Sequence, residues 1–274
     1  MENVSVLMSL YAKERADFLN LALESLSAQT LMANEVVLVF DGPVSEQLVS
    51  VVAYWKSSLN IIIVCLPENV GLSAALNLGL LECNNELVAR FDTDDICLPS
   101  RLEFQVSFMI DNPCVDICGG NAVFIDSNGV EYSERCVPTE HQEIKRIIWS
   151  CPMIHPSVMF RKSRILSIGS YSSTAPHRQD DYDLWIRAVD SGLQFHNLSE
   201  YLIQYRYNED DFKKNSLAVG WNRFKIGVKP WFKYDRRLSS LCGLIYPMVR
   251  ASLPKSAAVR LNRFVKIYDP RKTN

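Results

Sequence analysis

The 274-residue chain has no C-x-x-C pair, although it holds eight cysteines, at positions 65, 83, 97, 114, 118, 136, 151 and 242. Thiols scattered this way argue against a zinc site or a disulfide framework, and for reduced, mostly buried side chains of a cytoplasmic protein. Met1-Glu2-Asn3-Val4 shows no basic stretch leading into a long apolar one, so no signal peptide is expected. Long apolar runs are missing too. The least charged stretch, Leu238 to Met248, is about half of the roughly 20 residues that a membrane-spanning helix requires. There is no internal repeat and no low-complexity tract. A hydrophobic content of 48% with 10% aromatics excludes a disordered chain. What remains is a folded chain long enough for one sizeable core and an appendage.

Charge is unevenly spread. The formal net charge of -2 conceals a segment, Trp221 to Asn274, in which Lys and Arg outnumber Asp and Glu 13 to 2. Residues 1–220 hold 16 basic and 29 acidic groups. The basic segment is interleaved with Trp221, Phe224, Trp231, Phe232 and Tyr246, a composition suited to an anionic surface. A membrane leaflet fits that description better than nucleic acid, for which no binding module is visible. A merely solvated basic helix is the plain alternative.

The first half of the chain alternates between two periods. Val4 to Met8, Val36 to Phe40, Ile61 to Cys65 and Leu87 to Phe91 read as strands. Each precedes a helix-spaced segment: Arg15 to Ala28, Glu46 to Trp55, Ser73 to Leu81 and Ser100 to Ile110. Strands made almost wholly of Val, Ile and Leu are buried on both faces, which predicts an α/β fold with a parallel sheet covered by helices. Ligands in such sheets bind beyond the carboxyl ends of the strands. Those ends carry Tyr11, Asp41-Gly42, Glu68-Asn69 and Asp92-Thr93-Asp94-Asp95. After Asn112-Pro113 the pattern changes. Asn128-Gly129 predicts a hairpin turn between Ala122 to Ile125 and Val130 to Tyr132. Helices are predicted from His141 to Trp149 and from Asp181 to Val189, and Gly169 to Gln179 reads as a mobile loop.

Asp92, Asp94 and Asp95 repel one another unless something positive lies among them. Three readings are open. The carboxylates hold a divalent cation shared with a diphosphate, since oxygen ligands suit Mg2+ or Mn2+. Alternatively Asp92 is the nucleophile of a phosphohydrolase, a reading weakened by Ile96 where that signature has Thr. In the plain reading Asp95 caps a turn and the others are solvated. Asp180-Asp181 is open in the same way, between N-capping a helix and acid–base chemistry.

Val4 to Tyr11, Ala22 to Thr30, Glu35 to Gly42, Glu68 to Gly79, Phe91 to Asp95 and Pro99 to Gln105 follow one another at the spacing of the family 2 glycosyltransferases. His155 to Arg161 and Asp180 to Trp185 continue the pattern, and about residues 3–206 resemble that family. The resemblance implies a GT-A fold: a Rossmann-like, mostly parallel central sheet flanked by helices, followed here by a basic helical C-terminal extension. It divides the chain into a catalytic domain at 1–215 (nucleotide-sugar half 1–112, acceptor half 113–215) and an extension at 216–274.

By the same resemblance Tyr11, Asp41, Asn69, Asp92 and Asp95 contact the nucleotide-sugar, with turn capping equally open for Asp95. Asp94 ligates Mn2+ or Mg2+, Asp181 is the general base, and Asp180 and His155 meet the acceptor. The implied reaction is inverting transfer of glucose or galactose from a UDP-sugar to a GlcNAc- or GalNAc-diphosphate-polyprenyl acceptor. The product would be a β1,3 linkage in O-antigen or exopolysaccharide assembly at the inner face of the cell membrane. A metal-dependent phosphohydrolase and a non-catalytic sugar-binding protein are the alternatives. The chain departs from the family pattern in two places. Ala75-Leu76 stands before Asn77 where an Arg is common, and Asn208 follows Tyr207 where a metal-binding His is common.

Overall fold

The computed structural model describes residues 3–176, 178–207, 216–254, 257, 258, 260 and 261. The predicted alternation is realised as β1 (Val4–Tyr11), α1 (Ala16–Ser27), β2 (Glu35–Asp41), α2 (Glu46–Trp55), β3 (Ile61–Cys65), α3 (Leu72–Glu82) and β4 (Leu87–Arg90). β1, β2 and β4 are almost entirely buried, as mostly aliphatic strands covered on both faces must be. Their pairing is parallel, with Val4 opposite Leu87 and Tyr11 opposite Asp41. That register brings Tyr11, Asp41 and the acidic segment after β4 to the same edge of the sheet.

The chain continues through β5 (Ile96–Cys97), α4 (Arg101–Asp111), β6 (Ile117–Ile125), β7 (Glu131–Arg135), α5 (His141–Arg146), β8 (Met159–Arg161), α6 (Lys162–Ser167), α7 (Asp180–Asp190) and β9 (Phe195–Arg206). Among the described residues these form a nine-stranded sheet in the order β3-β2-β1-β4-β8-β6-β9-β5, with β7 on β6. β8 runs antiparallel between β4 and β6, and β9 runs parallel to β6. One apolar cluster lies between the sheet and α1, α2 and α4. A second, around Trp185, Tyr182 and Phe195, lies under α3 and α7.

Several boundaries differ from the sequence expectation. β1 extends three residues further, to Tyr11, because each added residue pairs with β2. The helix expected to reach Trp149 ends at Arg146 and gives way to a 3-10 turn, Ile148–Ser150. The carbonyls of Trp149 and Ser150 accept hydrogen bonds from Tyr182 and Arg223 instead of continuing a helical ladder. β8, α6 and the long β9 had no clear periodic signal. β9 contains Asn197, Ser199 and Glu200, and its register with β6 shifts around Asn121. The Asn128-Gly129 turn is as expected, with Gly129 at φ 82°. Its second strand starts one residue later and runs on to Arg135. All eight cysteines are free thiols, but only 83, 97, 118 and 151 are buried, fewer than expected.

The described residues of the segment Gly169 to Gln179 form neither helix nor strand, yet its start is fixed rather than loose. Tyr171 is buried, and Asn77 holds it by accepting from Tyr171 N–H (3.0 Å) and Ser170 Oγ (2.6 Å) and donating to Tyr171 O (2.7 Å).

The basic segment forms α8 (Leu217–Tyr234) and α9 (Leu238–Ser252), which pack on one another and on the 3-10 turn. Trp149 Nε1 donates to Asp235 at 2.8 Å, and Leu244 is buried. No helix among the described residues is long and apolar enough to cross a membrane. The tightest approach is at Gly227, where an added Cβ would lie 2.3 Å from the Tyr182 hydroxyl and 2.5 Å from Leu244 Cδ1. Gly227→Val should therefore destabilise the protein by about 1–3 kcal/mol through overpacking. Thermal unfolding checks this; an unchanged midpoint would mean that α8 does not lie against α7.

Candidate active site

β4 ends on Arg90, an arginine inside an otherwise apolar run and only 2% exposed. The next turn carries Asp92, Asp94 and Asp95, whose ligand oxygens all lie within 4.8 Å of one another. Arg90 pairs with Asp92, while its Nε and a second terminal nitrogen have no partner in the protein. Asp95 is buried. One of its oxygens accepts the Arg206 backbone N–H at 2.7 Å and the other has no protein partner. Arg206 also donates from Nε to the Asp94 carbonyl (2.7 Å) and from Nη1 to the Asp126 carbonyl (2.8 Å). Its guanidinium lies over the Phe18 ring at 4.1 Å.

Negative charge nevertheless exceeds positive here. Burial, then Asp92, then Glu14 push the Asp94 carboxyl up to about 7. Burial and the neighbouring Asp94 and Asp92 carry Asp95 well above the ordinary carboxylate range. Glu14 reaches the site by accepting from Thr93 Oγ1 at 2.7 Å. An all-oxygen cluster whose acids resist ionisation, with one buried carboxylate oxygen unpartnered, fits a hard divalent cation such as Mg2+ or Mn2+.

At the end of β2 the Asp41 carboxylate organises the loop after β3. It accepts from Val70 N–H (2.7 Å), Gly71 N–H (3.1 Å) and Asn69 Nδ2 (2.9 Å). A carboxylate has about four acceptor positions, so three contacts leave room for one more donor. Tyr11, paired in register with Asp41, is 45% exposed at the same edge.

α7 opens with Asp180 and Asp181, and a third acid, Asp183, completes an acidic first turn suited to the positive end of the helix. Gln179 occupies the cap position and makes no side-chain cap. Neither Asp180 nor Asp181 is therefore the N-cap. The Asp181 carboxylate accepts from the Cys151 thiol at 3.7 Å. Burial raises its pKa, against the opposing pull of the Tyr182 backbone N–H, Arg223 and Arg90. Arg90 thus acts electrostatically on both the β4 acids and Asp181. Its role was missed in the sequence, where the available signal was a charged residue inside an apolar strand.

His155 is half-buried beside Tyr171 and Trp185. Its Nε2 is bonded to the Tyr171 hydroxyl at 2.7 Å, and its ring lies edge-to-face with Trp185. Burial, then Arg90, depresses its pKa well below the usual range and keeps the ring neutral. Asp95 also ties the framework together through Arg206, while its second oxygen has no protein partner. Asn77, beside which an Arg was missed, tethers Tyr171. Asn208, at the position of a third metal ligand, lies outside the described residues.

Residues 5–169 match the family described as glycosyl transferase family 2. The chain belongs to glycosyltransferase family 2. It is 42% identical over 226 residues to the amylovoran biosynthesis glycosyltransferase AmsE of Erwinia amylovora, covering 82% of this chain and 83% of the relative. It is 34% identical over 211 residues to an Escherichia coli UDP-Gal:alpha-D-GlcNAc-diphosphoundecaprenol beta-1,3-galactosyltransferase, covering 77% and 76%.

Among solved structures, the fold resembles the Pyrobaculum calidifontis mannosyltransferase PcManGT in complex with GDP-Man and Mn2+ (TM-score 0.65, 16% identity, 98% of this chain and 81% of that one). It also resembles S. aureus TarS 1-349 in complex with UDP-GlcNAc (TM-score 0.63, 17% identity, 98% and 88%). The GT-A fold of a family 2 glycosyltransferase, implied by the resemblance, is therefore what this chain adopts.

The depressed His155 pKa sets a pH test. An unfolded His binds a proton below about pH 6.5 while the folded ring does not, so this residue's contribution is complete above that pH and declines below it. Asp94, Asp95 and Asp181, whose pKa values are raised, act in the opposite sense. The informative quantity is thus the stability difference between wild type and His155→Gln in urea titrations. It should shrink between about pH 7 and about pH 5; a pH-independent difference would contradict an imidazole held neutral.

Proposed function

We propose that this glycosyltransferase transfers a hexose, glucose or galactose, from a UDP-sugar to a GlcNAc- or GalNAc-diphosphate-polyprenyl acceptor, with inversion at the anomeric carbon and a β1,3 linkage. The observation that carries the reading is the crowded carboxylate cluster at the end of β4, with Asp94 held far above its ordinary pKa. The likeness to a galactosyltransferase acting on a diphosphoundecaprenol-linked GlcNAc favours this donor and acceptor class.

Asp41 would accept a base N–H at its remaining lone pair, Tyr11 would pack on the base, and Asn69 supports Asp41. Asp94 would be the principal ligand of the cation, with Asp92 beside it toward the ribose or sugar. The bound Mg2+ or Mn2+ supplies neutralisation of charge on the departing nucleoside diphosphate.

Asp181 would take the proton from the acceptor hydroxyl, and its raised pKa makes it a stronger base than an ordinary carboxylate. Asp180, at the first position of α7, would hold the acceptor. Attack opposite to the leaving diphosphate inverts the anomeric centre. α8 and α9 expose Trp221, Phe232 and Leu238 among basic side chains, which suits peripheral association with an anionic inner-membrane surface.

The test uses UDP-glucose or UDP-galactose, Mn2+ and a GlcNAc-diphosphate-lipid analogue, with acceptor-dependent UDP release as the readout. Removing the cation with EDTA should stop transfer and Mn2+ should restore it. Asp94→Ala should be inactive yet folded, and full activity in that variant would sink the reading. Asp181→Asn should lose about 10²–10⁴-fold in kcat. The wild-type rate should rise with pH through a value above the normal Asp range, because the base must be ionised. Phosphate release without sugar transfer would point to hydrolysis instead.

A further inference from the structure

A cleft of about 150 Å³ lies between the residues preceding α7 and the first turns of α8. Arg178, Gln179, Ser216, Gly220, Arg223 and Pro247 line it, and no carboxylate does among the described residues. We propose that this cleft receives the diphosphate of the lipid-linked acceptor, gripped by Arg223 and Arg178. The inference rests on the reading of Asp181 as the acceptor's base and adds the anchoring of the acceptor's charged end.

Two arginines line the cleft from different elements, Arg223 from the second turn of α8 and Arg178 from the segment leading into α7. Arg223 is fixed before any ligand arrives. It donates to the Ser150 carbonyl at 2.5 Å and its guanidinium lies 5.1 Å from the Tyr182 ring centroid. Arg178 is exposed and held in left-handed backbone (φ 62°), a conformation uncommon for a side chain of its size. The positive end of the 18-residue α8 opens at the same place, with Ser216 as its cap. Guanidiniums match the oxygens of a phosphate or diphosphate by paired hydrogen bonds.

The cleft also lies beside the catalytic groups. Its lining residue Gln179 immediately precedes Asp180, and Arg223 acts electrostatically on Asp181. An acceptor whose sugar hydroxyl meets Asp181 would have its anomeric diphosphate only one sugar ring away. Arg223 then has two consequences: it anchors the acceptor and it tempers the rise in the Asp181 pKa. The basic segment would read the lipid-linked substrate through a defined anion site as well as through general attraction to a leaflet.

The test compares two acceptors in the full-length protein, a GlcNAc-diphosphate-lipid analogue and an alkyl GlcNAc glycoside without phosphate. Wild type should prefer the diphosphate acceptor. In Arg178→Gln and Arg223→Gln the ratio of the two kcat/KM values should fall about tenfold or more, with donor KM unaffected. Arg223→Lys keeps charge but loses the paired geometry and should fall between wild type and Arg223→Gln. If Arg223→Gln does not fold, exposed Arg178 still carries the test. A second arm measures methylenediphosphonate binding by calorimetry in EDTA, which silences a metal-dependent donor site. Binding that Arg178→Gln weakens supports the cleft. An unchanged acceptor ratio would overturn the proposal. So would loss of binding to phosphatidylglycerol vesicles with the ratio intact, which would mark a membrane-headgroup contact. If wild type transfers sugar to neither acceptor while the cleft still binds methylenediphosphonate, it is the transferase specificity that fails.

Discussion

Three carboxylates at the end of β4, joined by Glu14, form a concentration of negative charge that the surrounding protein must offset. Arg90, buried under the sheet edge, pairs with Asp92, and Arg206 closes over Asp94 and Asp95 from the opposite end of β9. Burying a charged guanidinium costs several kcal/mol unless partners surround it, so Arg90 is tolerable only because the acids are there. The dependence is mutual. Removing either side leaves the other with uncompensated charge in a poorly solvated place. Burial first, and mutual repulsion second, still hold the Asp94 and Asp95 carboxyls above the ordinary range. A divalent cation among these oxygens would relieve both costs at once.

The sheet arranges the remaining groups around this point. Its parallel part, β3-β2-β1-β4, brings Tyr11, Asp41 and the acids to one edge through register alone. Its second part, through β8, β6 and β9, carries Arg206 back to the acids, and α7 shares the second apolar cluster with Ile117 of β6 and Phe160 of β8. Tyr182 and Trp149 then couple α7 to α8, so the basic segment is packed against the element that holds Asp181. A chain segment that reads as an appendage in the sequence thus packs directly on α7.

Much of this was legible in one dimension. The four β-α units could be read because an aliphatic strand and an amphipathic helix differ in period, and that difference survives in any tertiary context. Asp41, Asp94 and Asp181 stood out because acids follow strand ends or open a helix. β8 and β9 were not legible. Met159–Arg161 is too short to show a period, and β9 is interrupted by polar residues whose partners, such as the Pro138 carbonyl for Asn197, lie far away in sequence. His155 shows the same limit. A histidine before proline looks alike whether it faces substrate or hydrogen-bonds a buried tyrosine.

The sequence by itself determined the alternating elements, the buried parallel strands, the family and the chemical character of the strand ends, because these depend on local period and residue type. Only the tertiary structure decided which acids share one site, that Arg90 and Arg206 compensate them, and that His155 and Asn77 hold the framework around Tyr171. It alone set Arg178 and Arg223 on the same cleft. Electrostatic compensation and burial depend on distances between residues remote in sequence, and those distances come into being only when the chain folds.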